Sequence, residues 1–400
     1  MVTSLGVSLH QLWLIWLGAG VIGGIGLGLG YISPVSTLIK WFPDRRGLAT
    51  GMAIMGFGGG AMIGMPLGDY LIKANGVGET FFIMGLIYLI AMTIGAFGYR
   101  VPAEGWKPEG WNPVAKKTNN MISSSHVHVS NAHKTPQFWL LWGVLCLNVS
   151  AGIGVLSVAK PMFQEIAASS FDPLIIGAIA TGFGALLSLA NIIGRIFWAS
   201  SSDFLGRKLT YAIFFSLGTA LYLAAPWAGI NQYIATFVLI TLVILTMYGG
   251  GFATIPAYLA DIFGTQHVGA IHGRLLTAWS LAGIVGPMLI SYLREYQLSM
   301  GIPTDQAYNS SFKILAMLLV AGFILNLLVK PVNKKFGMTP AELKAEQGAL
   351  KGTQTNSSVV ASVTNTSMQK ILLPLAWIVV GVPITLGILN ALQKGIIIFL

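Results

Sequence analysis

One arginine in an otherwise apolar helix is the residue best placed to do chemistry in this chain. Arg195 lies in TGFGALLSLANIIGRIFWASSSDFLGRK, residues 181–208. At helical spacing Thr181, Gly184, Ser188, Asn191 and Arg195 share one face, while Phe183, Leu186, Leu189, Ile193 and Phe197 mostly point elsewhere, towards lipid. A guanidinium inside an apolar span costs at least about 2.5–3.5 kcal/mol on insertion scales, so it ordinarily faces a bundle interior or a water-filled path. The chemistry on offer is a fixed positive charge beside a polar stripe. A second reading stands next to it: Arg195 is only about 10 Å of helix from Ser202, close enough to snorkel to the headgroups. The stripe above it favours the first.

Other reactive residues are scarce. Cys146 is the sole cysteine and sits in an apolar run, which excludes an intrachain disulfide and assigns it to packing. His126, His128 and His133 fall in a polar tract, where histidines are ordinarily solvated, so no metal ligands and no cofactor are expected. No catalytic residues are expected either, because no His, Glu or Asp is placed deep in a span to act with a nucleophile. Glycine runs such as GAGVIGGIGLGLG, with Gly20, Gly24 and Gly28 at four-residue spacing, read as seams for close helix packing. They are no nucleotide loop, since no strand precedes them and no P-loop lysine follows.

The elements that must hold these residues are membrane helices. Hydrophobic residues make up 54% of the 400 and charged residues 9%, far below the roughly 25% charge of soluble domains. Ten spans of membrane-crossing length are expected: three in residues 1–99, six in 137–331 and one in 371–400. Residues 100–136 and 332–370 read as polar linkers. The net charge of +10 is topological rather than a nucleic-acid footprint. Lys40, Arg45, Arg46, the basic residues of both linkers, Arg207, Lys208 and Arg274 share one side, which the positive-inside rule makes cytoplasmic. The first ten residues, MVTSLGVSLH, lack the basic start and cleavage site of a signal peptide. The expected location is the plasma membrane, crossed many times, with the lipid bilayer as a partner.

An internal repeat organises the chain. GYISPVSTLIKWFPDRRGLATG, from Gly30, and GFATIPAYLADIFGTQHVGAIHG, from Gly251, share a plan about 221 residues apart. Gly30 matches Gly251, Tyr31 matches Phe252 and Phe42 matches Phe263; after one inserted residue Gly47, Gly51 and Gly64 match Gly269, Gly273 and Gly286. Two parallel halves of this kind are a transporter plan. If the second half opens near Phe138, its counterpart would open about 84 residues before Met1, so about three leading helices are expected to be absent from the first bundle.

These residues resemble the major facilitator superfamily and, within it, the oxalate:formate antiporter family. WASSSDFLGRK is similar to the superfamily's loop motif Gly-x-x-x-Asp-Arg/Lys-x-Gly-Arg-Arg/Lys: Asp203, Gly206, Arg207 and Lys208 match, Ala199 and Phe204 depart. The resemblance implies a conformational latch at this loop, with Asp44, Arg45 and Arg46 in the corresponding loop of the first half. More specific are IGLGLGYISPVSTLIKWFPDRRGLATGMAIMGFGGGA and VPAEGWKPEGW, which resemble the fourth-to-fifth helix region and the start of the central loop in the antiporters. The fold implied is all-helical, with two bundles, the first incomplete (family helices four to six, then seven to twelve), and one additional C-terminal helix.

The function implied is exchange or facilitated diffusion of small organic anions, with Arg195 pairing the substrate carboxylate through two parallel N–H···O bonds. Asn191, Tyr248 and Phe252 fall around the implied cavity, with Tyr31 as the repeat partner of Phe252; for the aromatic residues ordinary helix packing is the alternative. Oxalate exchangers carry a further lysine in the eleventh helix, where this chain has Trp279. One cation satisfies a monoanion such as formate or lactate more easily than a dianion. With no deep carboxylate, exchange is expected ahead of proton symport, leaving proton or counter-anion coupling open. A non-transporting remnant or sensor is the alternative; a channel or a membrane enzyme fits less well.

Overall fold

A computed structural model describes residues 1–98, 100–102, 106–110, 122–123, 125–346 and Leu389. Among them, eight helical segments are long and apolar enough to cross a membrane. The expected span at 371–392 lies outside the described residues, apart from Leu389.

The chain opens with a short helix, α1 (Val2–Ser8), followed by α2 (Leu12–Trp41), whose Trp16–Ile22 portion is wound as a π-helix. Helix α3 (Arg46–Gly98) covers both expected spans at 48–72 and 81–99 and is broken at Gly76, where φ is 79° and ψ 172°. Glycine reaches that left-handed region without a Cβ clash. A Cβ on Gly64 would lie 3.5 Å from the Tyr88 hydroxyl, and the two residues are equally spaced about Gly76, so the chain doubles back as a hairpin.

The second group comprises α4 (Pro136–Ser157), α5 (Ala159–Ile166), α6 (Ile176–Leu205), α7 (Arg207–Ile230), α8 (Ile234–Phe263), α9 (Val268–Leu275), α10 (Thr277–Ser299) and α11 (Asn309–Leu328). Helix α4 starts where Pro136 supplies a helix-ready φ and the Thr135 hydroxyl accepts the Phe138 N–H. Central α8 is buried over most of its length and packs on α6 at a glycine crossing: a Cβ on Gly194 would meet the Thr246 backbone, and one on Gly249 the Asn191 carbonyl. Small residues let two backbones approach this closely, so Asn191 and Arg195 are held by rigid neighbours. Helix α10 packs on α4 and α11 on α7. The first group meets the second through α3 on α6 and α8, and through α2 on α9.

Two expectations about faces are corrected. Phe183, Leu186 and Leu189 are buried in the protein core, and only Ile193 (53% exposed) and Phe197 (57%) point outward, because α6 is wrapped by neighbours on more than one side. At Gly20, Gly24 and Gly28 the seam contacts nothing: no described residue comes within 4 Å of a Cβ placed there.

The linker is stitched to the end of α8. Ser123 N–H donates to Asp261 O (2.7 Å) and Val127 N–H to Phe263 O (2.9 Å). Val127 also forms an antiparallel bridge with Gly337, and Met338 N–H donates to His126 O (2.7 Å). Linker and tail segment therefore share one side of the molecule, here called the linker side.

Candidate functional site

Helix α6 positions Arg195 between the two groups of helices. Its Nε donates to Asn191 Oδ1 one turn earlier (3.0 Å), and Nη1 reaches across to the Ile54 carbonyl of α3 (3.0 Å). The side chain is 4% exposed, and no described carboxylate lies within ion-pair distance. A buried cation without a countercharge is costly, and an anion that supplies one is correspondingly favoured. This is the observation that sets the site apart from an ordinary structural arginine.

Aromatic rings from both groups of helices close around it. Arg195 Cζ stands 5.5 Å from the Phe252 ring centroid, within cation–π range. Phe252 touches Tyr31 (5.4 Å) and Trp279 (5.7 Å), while Phe57 reaches Tyr31 (5.7 Å), Trp279 (6.3 Å) and Phe252 (6.5 Å). Tyr248, one turn before Phe252, borders Arg195 and Trp279. The rings thus come from α2, α3, α8 and α10, and the structure brings Arg195, Asn191, Tyr31, Tyr248, Phe252 and Trp279 together.

Two residues of this cage escaped the sequence reading. Phe57 stands 222 residues before Trp279, the offset that pairs Gly51 with Gly273, so the repeat itself held the signal. His272 packs edge-on to Tyr31 (5.6 Å), is 2% exposed, and its Nε2 has no partner among the described residues. Its spacing of seven from Trp279 places both on one helical face.

Below Arg195, on the linker side, the groups are fastened together. The Asp203 carboxylate accepts the backbone N–H groups of Gly47 (2.9 Å) and Leu48 (3.0 Å), capping the N-terminus of α3 where unpaired donors and the helix dipole favour an anion. Arg207 bonds Asp203 (2.5 Å), Asp261 (3.2 Å) and the Ser202 hydroxyl, and Arg46 completes the chain by bonding Asp261 from the other group (3.1 Å). Gly206, at φ 85°, makes the one-residue corner that turns Arg207 back onto this cluster. The remaining loop residues lie elsewhere. Lys208 donates to the carbonyls of Leu327 and Val329 (both 2.8 Å) at the end of α11, and Arg45, largely exposed, pairs with its neighbour Asp44 (3.6 Å). Asp261 is a member the sequence reading did not assign.

The helices cross tightly here and part beyond it. A Cβ on Gly47 would collide with the Ala199 carbonyl and sit 2.6 Å from Arg207 Nη1; one on Gly51 would lie 2.7 Å from the Arg195 carbonyl. Further along, Gly56, Gly60 and Gly184 have no described atom within 4 Å of that position, and Thr181 is exposed. Among the described residues the helix crossing is tight on the linker side of Arg195 and open at Gly56, Gly60 and Gly184. A cavity of about 340 Å³ behind the latch, lined by Arg207, Lys208, Tyr258, Asp261 and Leu327, does not reach Arg195.

The sequence pattern of the Major Facilitator Superfamily matches residues 1–287 and, again, 152–396. The chain belongs to the major facilitator superfamily. Its similarity to individual proteins runs in the same direction. It is 27% identical over 326 residues to the oxalate:formate antiporter of Oxalobacter formigenes, covering 80% of this chain and 72% of that protein. It is 27% identical over 277 residues to the uncharacterized MFS-type transporter YhjX of Escherichia coli K12 (68% and 64%). With apicoplast pyruvate carrier 1 of Toxoplasma gondii the identity is 25% over 358 residues (75% and 62%). The chain thus spans less than two thirds of the length of the last two. The superfamily is one of membrane transporters rather than enzymes, which makes this a multi-pass membrane protein with a small-molecule substrate.

Proposed function

We propose that this major facilitator protein carries small carboxylates across the plasma membrane by alternating access, through exchange or facilitated diffusion. The observation that carries the reading is Arg195, buried, oriented by Asn191 and without a protein carboxylate. A substrate carboxylate would supply the missing charge and accept paired N–H donors of the guanidinium fork. The names of two relatives, an oxalate:formate antiporter and a pyruvate carrier, support the same substrate class.

A monocarboxylate such as formate or lactate fits better than oxalate. The walls beyond Arg195 are rings, and Trp279 stands where a second cation would be needed, so a second carboxylate would be desolvated without a partner. The linker side is cytoplasmic on the distribution of Lys and Arg, which makes the latched arrangement the outward-facing state. Asp203, Arg207, Asp261 and Arg46 act as its conformational latch, released and remade in each cycle.

Counterflow in proteoliposomes tests the reading. Vesicles preloaded with formate or lactate should accumulate labelled substrate, and Arg195→Gln should slow this at least about 100-fold, the equivalent of about 3 kcal/mol for an unpaired buried charge. Unchanged counterflow in Arg195→Gln would remove Arg195 from the binding site.

A further inference from the structure

Away from Arg195, three side chains from distant parts of the chain converge on the linker side. His128 comes from the linker, His267 from the turn before α9, and Glu346 from the helical segment that begins at residue 340. One potential ligand atom from each lies within 4.8 Å of the other two, and all three side chains are part-buried. His267 Nε2 is 3.0 Å from Glu346 Oε2, and the His128 ring approaches His267 edge-on with 4.8 Å between centroids. An ion pair of His267 with Glu346 needs no third residue, and the approach of a second imidazole is what a shared cation accounts for.

The surroundings prepare these groups as ligands. His128 Nδ1 accepts the Ser130 backbone N–H (3.2 Å) and lies 2.6 Å from Ser130 Oγ, so the ring is held at the start of a short helical turn facing His267. Glu346 is set by a capped helix start: Thr339 N–H donates to Glu342 Oε2 (2.7 Å) while Glu342 N–H donates back to the Thr339 hydroxyl (3.3 Å). Two imidazoles and a carboxylate, with a fourth position for water, form a donor set for Zn²⁺. Ligands around such an ion stand about 3.3 Å apart for bonds of about 2.0–2.1 Å, so the site closes by side-chain rotation.

We infer that His128, His267 and Glu346 form a regulatory site for a zinc-class divalent cation, which clamps the linker and the tail segment onto the end of α8. The carbonyls of Asp261 and Phe263 already hold Ser123 and Val127 of the linker, and the Asp261 carboxylate belongs to the latch. An ion at this point ties the linker to the latch and favours the linker-closed state. The binding site stands on its own geometry; its effect on exchange rests on the transport reading above.

The test uses the full chain, purified with a histidine-free tag, and Co²⁺ as a visible probe displaced by Zn²⁺. One equivalent should give the intense ligand-field absorption of a four-coordinate site. His267→Ala, Glu346→Gln and His128→Asn, the last keeping an acceptor for the Ser130 cap, should each weaken binding at least about tenfold. Retention of affinity and spectrum in the triple variant, or loss only when His126 and His133 are replaced, would overturn the assignment. In counterflow, Zn²⁺ should slow the parent protein and leave the triple variant unaffected; equal inhibition of both overturns the regulatory role. If no carboxylate exchange is seen at all, the transport reading fails while the cobalt titration still decides the site.

Discussion

Gly47→Ala should drive the protein out of its linker-closed state without touching the substrate cage. The added methyl would overlap the Ala199 carbonyl and stand 2.6 Å from Arg207 Nη1. The guanidinium can rotate, but the carbonyl belongs to the backbone of α6, so the helices must separate. Overpacking of this kind costs about 1–3 kcal/mol, and a rigid obstacle places the cost at the upper end. Alanine's advantage over glycine in a helix, about 0.5–1 kcal/mol, applies in both states and cancels. The closed-to-open ratio should therefore fall about 100-fold for about 3 kcal/mol. Electron-paramagnetic distance measurements would read it, with spin labels on Cys at Arg45 (69% exposed) and Phe204 (90%) in a Cys146→Ala background. The expected result is a shift of the main distance population to longer values in Gly47→Ala. Gly56→Ala on the same helix, where no described atom is within 4 Å, should leave it in place. A Gly47→Ala distribution that matches the parent protein refutes the argument that this crossing sets closure.

Further outcomes follow from the same geometry. Trp279→Lys puts a second cation opposite Arg195 and should raise trans-stimulation by oxalate relative to formate; an unaltered preference would mean that charge count does not set selectivity. Asp203→Asn keeps an acceptor but removes the negative charge at the helix N-terminus, worth about 0.3–2 kcal/mol, and should bring about a 2- to 30-fold loss of the linker-closed population in the same distance assay. His126 is held below the ordinary histidine value by burial first, then by His267 and Arg46. Its docked form resists protonation, so linker docking is fully stable above the free-histidine pKa of about 6.5 and weakens as pH falls below it. Amide exchange at Val127 and Met338 should accelerate in that window, and His126→Gln should remove the dependence.

What could be read from the sequence was local or repeated. Hydropathy revealed the spans, and the loop spelling Asp203, Gly206 and Arg207 pointed to the local part of the cluster, the bonds of Arg207 to Asp203 and Ser202 within five residues. Arg46 was expected in the loop of the first half, but its partner Asp261 escaped because the two meet across 215 residues, and nothing near Asp261 marks it as more than a helix-end carboxylate. Lys208 sits in the same motif but caps another helix, a direction set by the turn at Gly206 that composition does not reveal. Phe183, Leu186 and Leu189 looked lipid-facing because periodicity distinguishes polar from apolar faces, not protein from lipid. Phe57 was visible through the repeat offset, whereas nothing around His272 in the sequence marks it as the residue that meets Tyr31.

Helix α6 carries Arg195 and Asp203 on one unbroken rod, with Asp203 eight residues, or about 12 Å, further along. A rod that pivots near its substrate end is a lever: a tilt of about 10° displaces the far carboxylate by about 2 Å, beyond the tolerance of a hydrogen bond. The two N–H groups of α3 would lose their acceptor together, while Arg207, mounted across a one-residue corner, would travel with it. On the proposed carboxylate reading, a small adjustment at Arg195 would be amplified mechanically into release of the Asp203 contacts, with no message relayed through intervening side chains.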